Sequence, residues 1–227
     1  MKKIIATFVL FLTLQVPAYA ADQGHEGHDH PANDGKITTP ELLTEVLEGD
    51  VVYGQPDAPV TIVEYASLSC SHCATFYTDV FNDLRDNYIS KGKVKLVYRH
   101  YPLNKPALQA TLLVECAADN AIKQELLGKI FTTQKQWAFA RDFTSKLRAI
   151  ANNSGIKAEA FNARIADTKK QDALLALQIK AQKGLSVSST PTLFINGERF
   201  DNARSYSKLS KHIDGLIQSA NGGRNAQ

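Results

Sequence analysis

Hydrophobic positions along the chain change period several times, and each change marks an element. Residues 58–67, APVTIVEYAS, form a β-branched run without helical period, which predicts a buried strand. Directly after it Phe76, Val80, Phe81, Leu84 and Tyr88 recur at threes and fours, the spacing of one helix face. In KVKLVYRHYP, residues 93–102, Val94, Leu96 and Tyr98 alternate, which predicts a second strand. The order strand, helix, strand implies a parallel pair joined by a right-handed crossover. From Pro106 to about Lys183 no strand pattern occurs, and stretches such as KQELLGKIFTTQ and ARDFTSKLRAIANN carry helical spacing and good helix formers. STPTLFING then supplies a short strand and an Asn-Gly turn, and ERF the return strand of a hairpin. A last helix follows in SYSKLSKHIDGLIQSA, with Leu209, Ile213 and Leu216 on its apolar stripe. Ahead of all these, TPELLTEVLEG at 39–49 reads as a short helix with Thr39 as N-cap and Pro40 at N1. The pattern is α/β, with an all-helical block set into the frame.

The chain's first residues change this picture. MKKIIATFVLFLTLQVPAYA has a basic start at Lys2 and Lys3, an apolar run from Ile4 to Val16, and the small-x-small ending Ala18-Tyr19-Ala20. That is the layout of a cleaved secretory signal over residues 1–20. The run is short for a membrane span and is broken by Thr13 and Gln15, and no later run is long enough to cross a bilayer. An exported protein without stable membrane insertion is therefore expected. Residues 21–36, ADQGHEGHDHPANDGK, are polar and read as a disordered leader, in which His25, His28 and His30 are candidate ligands for copper or zinc. The predicted organisation continues with 37–102 as the first part of the α/β domain, 103–183 as the helical insertion, 184–220 as the second part and 221–227 as a flexible tail. Without Lys2 and Lys3, the 26 basic residues fall to 24 against 23 acidic ones, which excludes the basic footprint of a nucleic-acid binder. Three cysteines in so long an exported chain exclude a disulfide-stapled mini-protein.

Two of those cysteines carry the candidate chemistry. Cys70-Ser71-His72-Cys73 stands where the first strand ends and a helix begins. A structural zinc needs four ligands, and beyond this pair only Cys116, His100 and His212 remain outside the leader, scattered along the chain. A static disulfide here gains little, because it closes a very short loop. At a helix start, unpaired N–H groups and the helix dipole favour the Cys70 thiolate, and a protonated His72 adds a second positive neighbour. Cys73, one turn further in, is expected to be more buried and to act as the resolving thiol. Cys116 falls on an apolar stripe with Leu112 and Leu113 and reads as a buried, inert thiol within a helix.

With strand TIVEY, the Cys-Ser-His-Cys motif, the helical insertion and the late SSTPTLFING in place, the chain resembles the DsbA-type thiol:disulfide oxidoreductases of the thioredoxin superfamily. The resemblance implies a thioredoxin fold with an inserted all-helical domain and no cofactor. It also implies a cis-proline facing the disulfide at Pro191, with the Thr190 backbone offered to an extended client peptide. Glu64, six residues before Cys70, matches a buried acid that moves protons for the inner cysteine. The implied partners are reduced, unfolded exported proteins and a DsbB-like membrane reoxidant. Ser71 departs from the proline that many oxidising members carry, and Thr190 also occurs in isomerase and reductase branches. A disulfide isomerase or reductase of the same fold therefore stays open beside the oxidase, as does a copper-tolerance protein using the His-rich leader.

Overall fold

The computed structural model describes residues 39–224. The expected signal segment and the leader with His25, His28 and His30 lie outside the described residues. Five strands form one sheet: β1 (Val51–Tyr53), β2 (Val60–Ala66), β3 (Val94–His100), β4 (Thr192–Ile195) and β5 (Glu198–Phe200), in the order β1-β3-β2-β4-β5. The central pair β2–β3 is parallel, as the strand–helix–strand order predicts, and the other pairings are antiparallel. Asn196 and Gly197 both have positive φ, the requirement of the tight hairpin turn expected from their Asn-Gly sequence.

Helix α1 (Thr39–Thr44) precedes the sheet, and α2 (residues 71–89) forms the crossover between β2 and β3. Helix α2 is α-helical at Ser71–Thr75 and Asn82–Leu84 and π-wound at Phe76–Phe81 and Arg85–Ile89. The insertion consists of α3 (Lys105–Val114), α4 (Asn120–Thr132), α5 (Gln134–Trp137), α6 (Phe143–Asn152), α7 (Ala158–Ala166) and α8 (Thr168–Leu185), and α9 (Tyr206–Arg224) closes the described chain. One sheet face buries Ile62, Ala66 and Leu96 against Phe76, Phe81 and Leu84 of α2, and the insertion adds Leu113, Ile130, Phe131 and Trp137 to that core. The other face forms a smaller cluster of Val63, Tyr65, Val97, Tyr101 and Phe194, closed by Ala181 of α8 and by Val187.

Four details differ from the sequence pattern. Strand β1 was not foreseen, because three residues are too few to show a period; pairing with β3 is what defines it. Its outer edge is blunted by a side-chain amide: the Val52 N–H donates to Asn120 Oδ1 at 3.0 Å, and Asn120 Nδ2 donates to the Val52 carbonyl at 2.7 Å. Helix α1 stops at Thr44 rather than continuing to Gly49, since the Leu47 N–H is taken by the Asp50 carboxylate at 2.7 Å and the chain turns there into β1. Cys116 lies in the turn after α3, half-buried, its sulfur 3.4 Å from the Leu112 carbonyl. Helix α9 runs to Arg224, into the segment expected to be tail, because its glycines weaken a helix without forcing it to stop.

A buried ion pair ties α1 to the sheet. Arg99, wholly inaccessible on β3, donates from Nε and Nη2 to the Asp50 carboxylate at 3.0 and 2.7 Å. It also donates to the carbonyls of Leu42 (2.7 Å) and Glu45 (2.6 Å), so the guanidinium replaces water with fixed acceptors.

Candidate active site

Strand β2 delivers the chain into a short turn, where the Cys70 N–H donates to the Ser67 carbonyl at 3.0 Å. Cys70 is the N-cap of α2, with extended φ −79° and ψ 121°, and its carbonyl accepts from the N–H groups of Cys73 and Ala74, both at 3.1 Å. Beside the turn, Ser69 Oγ donates to Asn104 Oδ1 at 3.0 Å, and the same oxygen caps α3 by accepting from the Ala107 N–H at 2.9 Å. The Ser69 and Asn104 side chains thus link this largely buried turn to the start of α3.

The antiparallel register of β2 with β4 pairs Tyr65 with Thr192 and Glu64 with Leu193, which sets the Thr190–Pro191 segment beside the end of β2. The Thr190–Pro191 peptide bond is cis. The Cys70 Sγ lies 3.4 Å from the Thr190 carbonyl oxygen.

Both thiols are free, and their environments differ sharply. The Cys70 pKa is lowered to about 5, first by the hydrogen bond from the Cys73 thiol, against the opposing effect of burial, and further by Thr190 and the backbone N–H groups of Cys73 and His72. Cys73 is fully buried, and burial pushes its thiol well above the ordinary range, with the Cys70 hydrogen bond and the charges of Glu64 and Cys70 adding to the rise. Glu64 is buried on the sheet face that carries the sulfurs; burial, then the Cys70 charge, raises its pKa to about 8. The Thr190 hydroxyl is buried without a fixed hydrogen-bond partner and favours the charged form of both thiols.

The structure therefore brings Cys70, Cys73, Glu64, Thr190 and Pro191 together. The backbone N–H of His72 helps to lower the Cys70 pKa, while its imidazole is exposed at the rim of a groove of about 450 Å3. Thr190, Pro191, Asp201, Arg204 and Ser205 also line that groove, which has no large apolar side chain. Among the described residues no group of three or more His, Cys, Asp or Glu side chains converges as a metal site.

The thioredoxin family model matches residues 46–215. Alpha-DsbA1 of Wolbachia pipientis is 30% identical, with 81% of this chain and 98% of that one covered at a TM-score of 0.75. The chain belongs to the DsbA-type thiol:disulfide oxidoreductases of the thioredoxin superfamily. At greater distance, disulfide bond formation protein D of Bacillus subtilis is 22% identical over 74% of this chain and 77% of its own. The solved oxidised BdbD from Bacillus subtilis shares the fold at a TM-score of 0.66 over 75% of this chain and 94% of that one.

One contact at the centre of this DsbA-type site has no signal in the sequence. Gln134, from the insertion and only 4% exposed, donates from Nε2 to the carbonyls of Leu68 at 2.7 Å and Cys70 at 3.0 Å. A glutamine in a polar helical stretch looks like a solvated side chain, and only its burial distinguishes it.

Proposed function

We propose that the protein is an exported, periplasmic dithiol oxidase that donates a Cys70–Cys73 disulfide to the thiols of folding secreted proteins. The observation that carries this reading is the opposition between the two sulfurs: Cys70 at the helix start with a pKa of about 5, Cys73 buried and pushed well above its ordinary range. Stabilising the reduced form through the Cys70 thiolate makes the corresponding disulfide a stronger oxidant.

The exchange runs in two displacements. A client thiolate attacks the Cys70 sulfur of the disulfide and expels Cys73 as a thiolate, giving a mixed disulfide at Cys70. Glu64, protonated at neutral pH with its pKa near 8, supplies a proton to the departing Cys73 sulfur. A second client thiolate attacks the client sulfur of the mixed disulfide and expels Cys70, whose low pKa makes it a good leaving group. The client loses two electrons and the protein ends as the dithiol. The Thr190 backbone and Pro191 offer the client an extended edge beside Cys70, and the groove with His72 and Arg204 receives the residues flanking its cysteine. A DsbB-like membrane partner then returns the pair to the disulfide.

Equilibration of the pair with glutathione, together with refolding of a reduced and of a scrambled multi-disulfide client, tests this function. The expected result is a glutathione constant typical of a readily reduced disulfide, fast oxidation of the reduced client and poor unscrambling. A strongly reducing constant with efficient unscrambling overturns the oxidase in favour of an isomerase or reductase.

A further inference from the structure

The side chain of Gln134 joins the insertion to the backbone of the active-site turn. It leaves α5 in the insertion, crosses to the active-site turn and gives both amide hydrogens to backbone carbonyls, those of Leu68 and Cys70. These residues lie 66 and 64 positions away in the chain. The amide makes both of its bonds to one turn and none within α5, which is anchored separately by the wholly buried Trp137 and its Nε1–H bond to the Ile130 carbonyl at 3.0 Å.

We propose that Gln134 is a positioning residue for the redox centre, whose amide fixes the Leu68–Cys70 turn and thereby strengthens the oxidising character of the Cys70–Cys73 pair. This rests on the oxidase reading above. The Cys70 carbonyl accepts from the Cys73 N–H and the Ala74 N–H as well as from Gln134. With the amide in place, the carbonyl does not depend on the Cys73 N–H, which is free to share itself with the Cys70 sulfur. The same two bonds hold Cys70 in the extended conformation of an N-cap, which keeps its sulfur over the first turn of α2. Without them the carbonyl draws the N–H away and the turn loosens, so the thiolate loses donors while the disulfide, which carries no charge, loses little.

The test compares the full chain with Gln134→Met, which keeps the side-chain bulk and removes the donor. The ultraviolet titration of the Cys70 thiolate is expected to move upward by about half to one pH unit, and the glutathione equilibrium about three- to tenfold towards the protein disulfide. Trp137→Phe, which loses a donor in the same short helix without touching the turn, is expected to lower the thermal midpoint and leave the thiolate titration unchanged. An unchanged titration and glutathione constant in Gln134→Met overturns the proposal, and so does an equal shift in Trp137→Phe. If Gln134→Met does not fold, Gln134→Leu gives the same readout. A wild-type pair that is strongly reducing counts against the oxidase reading alone, because the thiolate titration reports on Gln134 in either case.

Discussion

The Cys70 sulfur sits 3.4 Å from the carbonyl oxygen of Thr190, a residue 120 positions later in the chain. In the proposed exchange that approach sets the attacked sulfur beside the segment proposed to offer the client an edge. The buried Thr190 hydroxyl, which has no fixed partner, also favours the thiolate.

Thr190→Val removes this hydroxyl with little change of shape. The Cys70 titration midpoint is expected to rise by about half to one unit, with the glutathione equilibrium moving three- to tenfold towards the disulfide by the same linkage. Ultraviolet titration of the thiolate and redox equilibration are the measurements. An unchanged midpoint removes the hydroxyl from the account of the low pKa.

Cys73→Ser leaves a Cys70 thiolate that attacks a client disulfide, forms a mixed disulfide and expels one client thiolate. With no resolving sulfur, the adduct is expected to accumulate on non-reducing gels and to disappear with dithiothreitol. Cys70→Ser is expected to form no adduct through the motif at neutral pH, because Cys73 is buried and stays protonated. Accumulation in Cys70→Ser instead would reverse the two assignments.

The stability of the reduced protein between about pH 6.5 and 8 is set by two opposed groups. Cys70 has its pKa depressed from 9.0 to about 5, so the unfolded chain binds more protons at this site and stability rises with pH. Glu64 has its pKa raised from 4.5 to about 8, so the folded chain binds more protons and stability falls with pH over the same window. The two slopes largely cancel in the wild type. Glu64→Gln is expected to leave a rising slope approaching about 1.4 kcal/mol per pH unit, and Cys70→Ser a falling one, as read by urea denaturation of the reduced proteins. Parallel slopes in the three proteins would remove both assignments. From about pH 7.5 downward His100 adds a growing slope of its own, since burial lowers its pKa from 6.5 to about 3 and the stability it contributes as a neutral group is lost as the unfolded chain protonates.

Asp50→Ala strands the Arg99 guanidinium in the core with only carbonyl and hydroxyl acceptors. A loss of about 3–5 kcal/mol in unfolding free energy is expected, the usual cost of breaking one side of a buried pair. A loss below about 1 kcal/mol would mean that water reaches the site.

Legibility in the sequence followed the distance over which each feature is built. Cys70 and Cys73 stand out because strand end, thiols and helix start are contiguous, so period and motif fall in one window. Glu64 is legible as a carboxylate inside an apolar strand run. Strand β1 is illegible because its three residues acquire meaning only opposite Tyr98, Val97 and Leu96. The cis-proline position came through the family resemblance, since Thr190-Pro191 is by itself an ordinary dipeptide.

The chain by itself determined the parallel β2–α2–β3 unit, the helical insertion and the Asn196-Gly197 hairpin, each of them a local matter of side-chain period, turn chemistry or helix propensity. Only the tertiary structure decided which donor and which carbonyl meet the Cys70 turn, the Gln134 amide and the Thr190 carbonyl. Gln134 and Thr190 reach it from 64 and 120 residues away. Their selection depends on burial, which turns an unremarkable amide into an obligatory donor, because a buried polar group without a partner costs more than the contact itself contributes.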